Sequence, residues 1–290
     1  MSIISDSSGS SSPATGPTEA PHRAVPAADL DASRVAGHWL LARMGKRVLR
    51  PGGVETTHWL LDSLAIDPND DIVEVAPGLG ATTRLLLGAN PASYTGVDRD
   101  PEAAALVGDL LDGGNRRIVN ASASETGLPD NSVDVVVGEA YLTMQPESVK
   151  RRTIAELVRI LRPGGRFALH EIAFAPDDID DDRRKAVTES LTSSIKVSVN
   201  PLTVKGWCDL LAEHGITTSA PHLVPLHLLE PRRLLNDEGV MGATKFVFNV
   251  ARNPPARRRV MAMRSSMREN AANLQAIGIT GTLAGSGSAS

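Results

Sequence analysis

The stretch Asp71-Ile-Val-Glu74-Val-Ala76-Pro-Gly78-Leu-Gly80-Ala-Thr-Thr83 decides how this chain folds. Its apolar run ends on a carboxylate, enters a glycine turn and opens a helix, which is the strand–turn–helix start of a nucleoside-cofactor site. Glycines at 78 and 80 allow a tight turn and let the backbone approach a ligand. A second apolar run, Tyr94 to Val97, ends on Asp98. A carboxylate there can accept hydrogen bonds from both ribose hydroxyls.

The glycine spacing alone also fits a dinucleotide fingerprint with its last glycine replaced, so an oxidoreductase using a nicotinamide cofactor stays open. Glu74 weighs against it. A pyrophosphate is held by helix N-terminal amides and repelled by an adjacent anion, whereas an amino-acid moiety carries an ammonium that a carboxylate attracts. S-adenosylmethionine has that ammonium. The chain here resembles the class I S-adenosylmethionine-dependent methyltransferases, whose first motif is an acid, an apolar residue and three alternating glycines. Glu74, Gly78 and Gly80 match it, while Ala76 stands where the first glycine is usual and Pro77 follows. Ala76 is therefore expected to keep a negative φ, with Pro77 stiffening the loop.

The resemblance spreads over four blocks in family order, from residue 71 to residue 171. Thr95-Gly-Val-Asp98-Arg-Asp-Pro101 looks like the second strand and its ribose-binding acid. Asn120 to Pro129 followed by Asp130 to Val137 looks like the adenine-side loop and fourth strand. Leu161-Arg-Pro-Gly-Gly165 to Glu171 looks like the turn and fifth strand. The resemblance implies S-adenosylmethionine as cofactor, held by Glu74, Ala76, Gly78, Gly80, Asp98, Arg99, Ser122, Ala123, Ser124 and Glu139. The family usually has an acid in the adenine loop. Ser122 or Ser124 would serve here through a hydroxyl, without charge assistance.

Strand and helix signals alternate along this region, so the fold class is α/β, doubly wound, with helices on both faces of a mostly parallel sheet. The expected sheet has seven strands, the last antiparallel as the resemblance implies. Helices are expected over 34–49, 54–64, 81–87, 101–111 and 150–161, and strands over 72–75, 94–97, 117–120, 133–137 and 165–172. Further strands are expected near 223–229 and 245–250. The cofactor crevice belongs where strand order reverses.

Around this core, residues 1–30 and 281–290 are rich in Ser, Gly, Pro and Ala and read as disordered tails. The methyltransferase domain is expected over 31–253. Within it, residues 175–200 begin with an acidic run and form either a solvated surface helix or a lid over the acceptor. Residues 254–280 are expected to be helical, with Val260, Met263, Met267, Ala271 and Leu274 down one side. That stripe could join a second subunit in a homodimer or pack on its own domain.

Composition narrows the partners. The chain has 290 residues, a formal net charge of −4 and 3% aromatic residues, which gives no global attraction to nucleic acid and few platforms for stacking bases. The single cysteine, Cys208, excludes an internal disulfide framework and a cysteine-rich metal site, and disfavours thiol-dependent arsenic chemistry. No apolar stretch approaches the roughly 20 residues that span a bilayer. The N-terminal stretch lacks the pattern of a secretory signal, so a cytoplasmic location is the default expectation.

Methyl transfer is an in-line displacement that requires neither a metal nor, unless the acceptor must lose a proton, a base. Residues at the carboxyl ends of strands four and five are the candidates to act on a small-molecule acceptor: Tyr141, His170 and Glu171. His170 and Glu171 point to opposite sides of a strand, so only one should face the crevice, and Glu171 lies nearer the strand end. His58 is placed to reach the cofactor's mouth. A noncatalytic protein that keeps the fold remains a further alternative, carried by Ala76-Pro77.

Overall fold

A computed structural model describes residues 25–26 and 31–285. The expected tails fall mostly on residues 1–24, 27–30 and 286–290, outside the described residues. The elements that follow are α1 (Gly37–Arg43), α2 (Gly53–Leu64), β1 (Asp71–Val75), α3 (Ala81–Gly88), β2 (Ser93–Asp98), α4 (Pro101–Gly108), β3 (Arg116–Asn120) and β4 (Val133–Glu139). Then come α5 (Glu147–Ile160), β5 (Leu161–Phe174), α6 (Asp181–Ile195), β6 (Leu202–Thr203), α7 (Val204–Ala212), β7 (Ile216–Thr218), β8 (His222–Pro225), α8 (Pro231–Arg252), α9 (Pro254–Glu269) and β9 (Leu274–Leu283).

The sheet runs β3-β2-β1-β4-β5-β9-β7, with β6 added beside β5 and β8 beside β9. Strands β1 to β5 pair in parallel and β9 lies antiparallel between β5 and the β7–β8 edge. Among the described residues nine strands thus stand where seven were expected. The difference is small in kind: β6 has two residues, and β7 and β8 pair with successive parts of β9, as one edge strand broken around Pro221 would. Order reverses between β1 and β4, which opens a crevice at their carboxyl ends.

The period-two alternation of the strands builds two cores. Ile72, Val135, Val137 and Ala168 face α2, α3 and α4 through Leu60, Leu64, Leu86 and Val107. Val73, Val75, Val136 and Leu169 face α5 and α7 through Ile154, Leu157, Trp207 and Leu211. A third cluster forms a cap from α1, α6, α8, α9 and residues 226–229. That cap sits over the crevice.

Two expected elements change type. Residues 245–250 are helical, inside α8, because Ala243, Phe246 and Val250 recur at helical spacing and are buried together in the cap. The helix expected to continue to 280 ends at Glu269, and residues 274–283 instead form the strand beside β5. The β-branched and glycine-containing run from Leu274 to Leu283 favours this. Gly281 is required there, since a Cβ would stand 2.6 Å from Ile216 Cγ2 and 2.8 Å from the Thr217 carbonyl. Residues 281–283 accordingly belong to the sheet. Val260, Met263 and Met267 are buried in the chain's own cap, which is the second of the two readings open for that stripe.

Candidate active site

The glycine loop is built on positive φ. Ala76, Gly78 and Gly80 have φ of 52°, 56° and 69°. The expectation of a negative φ at Ala76 is overturned: its amide donates to the Val97 carbonyl at 2.8 Å, which pins the loop to the tip of β2 and holds the residue left-handed. An alanine there costs about 1–2 kcal/mol. The glycines serve differently. A Cβ on Gly78 would meet only the Ala76 carbonyl, at 3.9 Å, so that face is open to a ligand. A Cβ on Gly80 would stand 2.3 Å from Leu110 Cδ1, so that glycine allows α3 to pack.

Asp98 completes this end. Its Oδ2 accepts from the Gly78 amide at 3.2 Å and its Oδ1 from the Asp100 amide at 3.0 Å. Burial raises its pKa, against the pull of those two amides. Beside it, Ser122 and Ser124 share a hydroxyl hydrogen bond of 2.9 Å and Ala123 is buried. Arg99 perturbs the nearby Tyr141, whose hydroxyl pKa is raised chiefly by burial.

Glu74 is buried. Thr83 and Tyr94 hydroxyls donate to its Oε2 at 2.7 and 2.6 Å. Burial pushes its pKa up to about 7, opposed by those two hydrogen bonds. The carboxylate at the strand tip therefore titrates near neutrality.

Glu139, at the end of β4, holds a denser network. Its Oε1 accepts from Thr57 Oγ1 at 2.7 Å and from His170 Nδ1 at 2.8 Å. Its Oε2 accepts from the Thr82 hydroxyl and lies 3.3 Å from the Arg50 guanidinium, which also donates to Thr82. Burial would raise its pKa, but Arg50 and His170 outweigh that and hold it at about 2. The Gly52 amide donates to His170 Nε2 at 2.8 Å, which leaves the ring proton on Nδ1, facing Glu139. Gly52 must be glycine, since a Cβ would collide with Thr56 Oγ1 and His170. His170 is thus fully engaged inside the scaffold.

Glu171 is engaged as completely. Its Oε1 accepts from the amides of Tyr141 and Leu142 at 2.9 and 2.6 Å, and its Oε2 from the amide and hydroxyl of Thr143 at 2.9 and 2.5 Å. Burial raises its pKa in spite of these donors. Thr143 in turn accepts from the Asn200 amide at 2.6 Å, so Glu171 fixes the turn after β4 and, through it, the segment after α6. With four donors each carboxylate oxygen is spoken for. His170 and Glu171, both candidates to act on the acceptor, are thus held by hydrogen bonds to the scaffold.

A cavity lies above the strand tips, between them and the cap. Its floor is polar, with Glu74, Arg50, Thr82 and Glu139, and its far wall apolar, with Ile195, Val199, Leu226, Leu228, Met263 and Met267. His38 and Trp39 of α1 border it too. Two buried nitrogens in this lining, Arg50 Nε and His38 Nδ1, have no hydrogen-bond partner among the described residues. Burial lowers the His38 pKa to about 4, with Asp100 opposing and Arg99 reinforcing. A buried guanidinium and a neutral imidazole with atoms to spare suit a ligand bearing a carboxylate and hydroxyl or amine donors.

Of the residues named from sequence, Glu74, Ala76, Gly78, Glu139 and Glu171 border this cavity. Asp98 joins it through Gly78, whereas Arg99 follows β2, Ser122, Ala123 and Ser124 follow β3, and Tyr141 follows β4. His58 is exposed on α2 and does not line the cavity. The 46–54 loop was missed: residues 34–49 were expected to be helical, whereas α1 ends at Arg43. One signal existed: Leu49-Arg50-Pro51-Gly52-Gly53 repeats as Leu161-Arg162-Pro163-Gly164-Gly165. The second copy works at the opposite end of the sheet, where Arg162 pairs Asp71 and Asp134 at 2.9 and 2.5 Å.

A doubly wound sheet with this glycine loop, an acid at the tip of β2 and a polar-floored crevice defines a nucleoside-cofactor enzyme of the methyl-transfer type. The chain matches the family description "Methyltransferase domain" over residues 73–169. It is 32% identical over 217 residues to an uncharacterized protein of Haemophilus influenzae, covering 73% of this chain and 84% of that one. It is 30% identical over 126 residues to an arsenite methyltransferase of Halobacterium salinarum, covering 41% of this chain and 32% of that one. The structure of a Haemonchus contortus phosphoethanolamine N-methyltransferase, solved with phosphomonomethylethanolamine and S-adenosylhomocysteine, superposes with a TM-score of 0.64 at 13% identity. It covers 86% of this chain and 57% of that one. The chain belongs to the class I S-adenosylmethionine-dependent methyltransferases, with S-adenosylmethionine as its cofactor. The nicotinamide-dependent and noncatalytic alternatives are not favoured.

Proposed function

We propose that the protein methylates a small, largely apolar organic acceptor. One observation carries this reading: the cavity joins a charged floor at the strand tips to a wall of Ile195, Val199, Leu226, Leu228, Met263 and Met267. Apolar walls of this kind select by burial of hydrocarbon surface. When bound, S-adenosylmethionine supplies an electrophilic sulfonium methyl.

On this reading, Asp98 accepts from the ribose hydroxyls, and Gly78 presents its open face to the nucleoside. Arg99 and Ser122 to Ser124 border the adenine. Glu74 attracts the amino-acid ammonium, and Arg50 turns its spare Nε toward the carboxylate. Glu139 and His170 act as positioning residues that fix Arg50 and the Gly52 turn, while Glu171 fixes the wall at Thr143 and Val199. His38, uncharged at neutral pH, accepts a hydrogen bond from a donor in the cleft. Neither floor carboxylate serves as a base, because Glu74 is taken up by the ammonium and Glu139 is held ionised by its partners and stays a hydrogen-bond acceptor. The acceptor therefore brings its own nucleophile, aligned and shielded from water. The 175–200 segment works as a fixed cover, giving Ile195 and Val199 to the wall.

Thiol-dependent arsenic chemistry does not suit this cavity: Cys208 lies half-buried on α7 and does not line it. Among the described residues no helix is long and apolar enough to cross a membrane. A cytoplasmic location belongs to the same reading. The test is release of tritium from methyl-labelled S-adenosylmethionine into a panel of apolar phenols, amines and polyprenyl-like acceptors, against polar amines and RNA. Turnover confined to the apolar set is expected, and a preference for RNA or polar amines would refute it.

A further inference from the structure

Beyond the kink at Gly239, helix α8 buries Ala243, Phe246 and Val250 in the cap. The opposite side should be polar on a surface helix. Instead it carries Val240, Met241, Val247 and Phe248, which are 74%, 87%, 57% and 55% exposed. At about 100° per residue, these four fall within one arc of roughly 120° that faces away from the core. On α9, whose Val260, Met263 and Met267 enter the same core, Met261 is 53% exposed and lies between Arg257 and Arg258 around the helix.

Charge along this surface is one-sided. Residues 239–268 contain seven Lys and Arg and no Asp or Glu, in a chain whose net charge is −4. Arg259 turns inward to the carbonyls of Ala32 and Val35, and Arg264 pairs Glu230 at 3.0 Å. Lys245, Arg252, Arg257 and Arg258 remain exposed. Arg252 lies over the Phe248 ring, 5.1 Å from its centre.

We propose that this outer face of α8 and α9 docks on an anionic lipid bilayer. Exposed apolar side chains set between flexible cations are what an interfacial helix uses, with hydrocarbon entering the acyl boundary and cations at the headgroups. A second copy fits poorly. Two-fold pairing would bring the same acid-free basic surface against itself, and a helical stripe about 20 Å long falls far short of the roughly 800 Å² per partner of a stable interface. Nucleic acid would neutralise the cations but leave Met241 and Phe248 against phosphate. The face is independent of the methyl-transfer reading, although Met263 and Met267 on the inner side of α9 line the cavity.

The test is co-sedimentation of the full chain with phosphatidylcholine vesicles, alone or containing about a quarter phosphatidylglycerol. Partition at least about tenfold stronger onto the anionic vesicles is expected, weakening as salt rises. Met241→Ser with Phe248→Ser, and separately Arg257→Glu with Arg258→Glu, should each lower partition by about tenfold. Melting temperature and S-adenosylhomocysteine binding should stay as in wild type. Three results would overturn the proposal. One is equal partition of variants and wild type, or none at all. Another is a dimer in sedimentation velocity that the Met241 and Phe248 changes dissolve. The third is duplex DNA binding lost with the arginines but not with the apolar pair.

Discussion

Replacing Glu74 by Gln should change how stability depends on pH, because the native carboxyl titrates at about 7 against an ordinary value of 4.5. A raised native pKa contributes stability fully present below the ordinary value and lost as pH rises through the native one. Over that span the wild-type chain must force a buried carboxylate to ionise beside Thr83 and Tyr94. The linkage relation gives a loss of roughly 2–3 kcal/mol between about pH 5 and pH 8.5 from this group alone. Gln fills the same space and does not titrate. Urea denaturation of both proteins across that range should show the variant gaining roughly 2–3 kcal/mol relative to wild type as pH rises. A bound ammonium favours the ionised form, so S-adenosylmethionine should bind wild type more tightly above pH 7, with proton release that the variant lacks. A stability difference that stays flat with pH would refute the reasoning about Glu74.

Ala76→Gly should relieve the left-handed backbone at the first loop position and stabilise by about 0.5–1 kcal/mol, read as a melting temperature raised by a few degrees. His170→Phe leaves Glu139 and the Gly52 amide each short of a buried partner. It should cost about 2–4 kcal/mol in urea denaturation and weaken cofactor binding through loss of the Gly52 turn. Lys46→Met removes a fully buried ammonium lying 3.3 Å from Asp237 and 3.5 Å from Glu238. The two carboxylates left behind should make it destabilising by about 3–5 kcal/mol. Because those acids also hold the Arg47, Val48 and Val54 amides, the Arg50 loop should become readily cleaved by protease.

The parallel half of the sheet was legible because each strand carries an unbroken apolar run closed by a turn signal, and Glu74 and Asp98 sit at strand tips where spacing alone put them. What escaped was set by distant partners. Residues 245–250 read as a strand from their β-branched and aromatic content, yet the cap core takes Phe246 and Val250 at helical spacing. The strand from Leu274 was hidden because Met267, Ala271 and Leu274 continue the helical period of α9, while its pairing partner β5 lies about a hundred residues away. In the site, residue types were readable but their obligations were not. Glu171 sits at the expected strand end, and only the fold shows that the amides of 141–143 consume its carboxylate. Arg50 and His38 arrive from a loop and a helix whose sequence carries turn and core signals alone.

Calorimetric titration of S-adenosylhomocysteine into wild type and Asp98→Ala bears most directly on the assigned site. On the proposed assignment of Asp98 to the ribose hydroxyls, loss of this carboxylate, which also holds the Gly78 amide, should weaken binding by about tenfold or more, while the variant stays folded. Equal affinity in the two proteins would contradict it, as would heat with a pyridine dinucleotide and none with either form of the sulfur nucleoside.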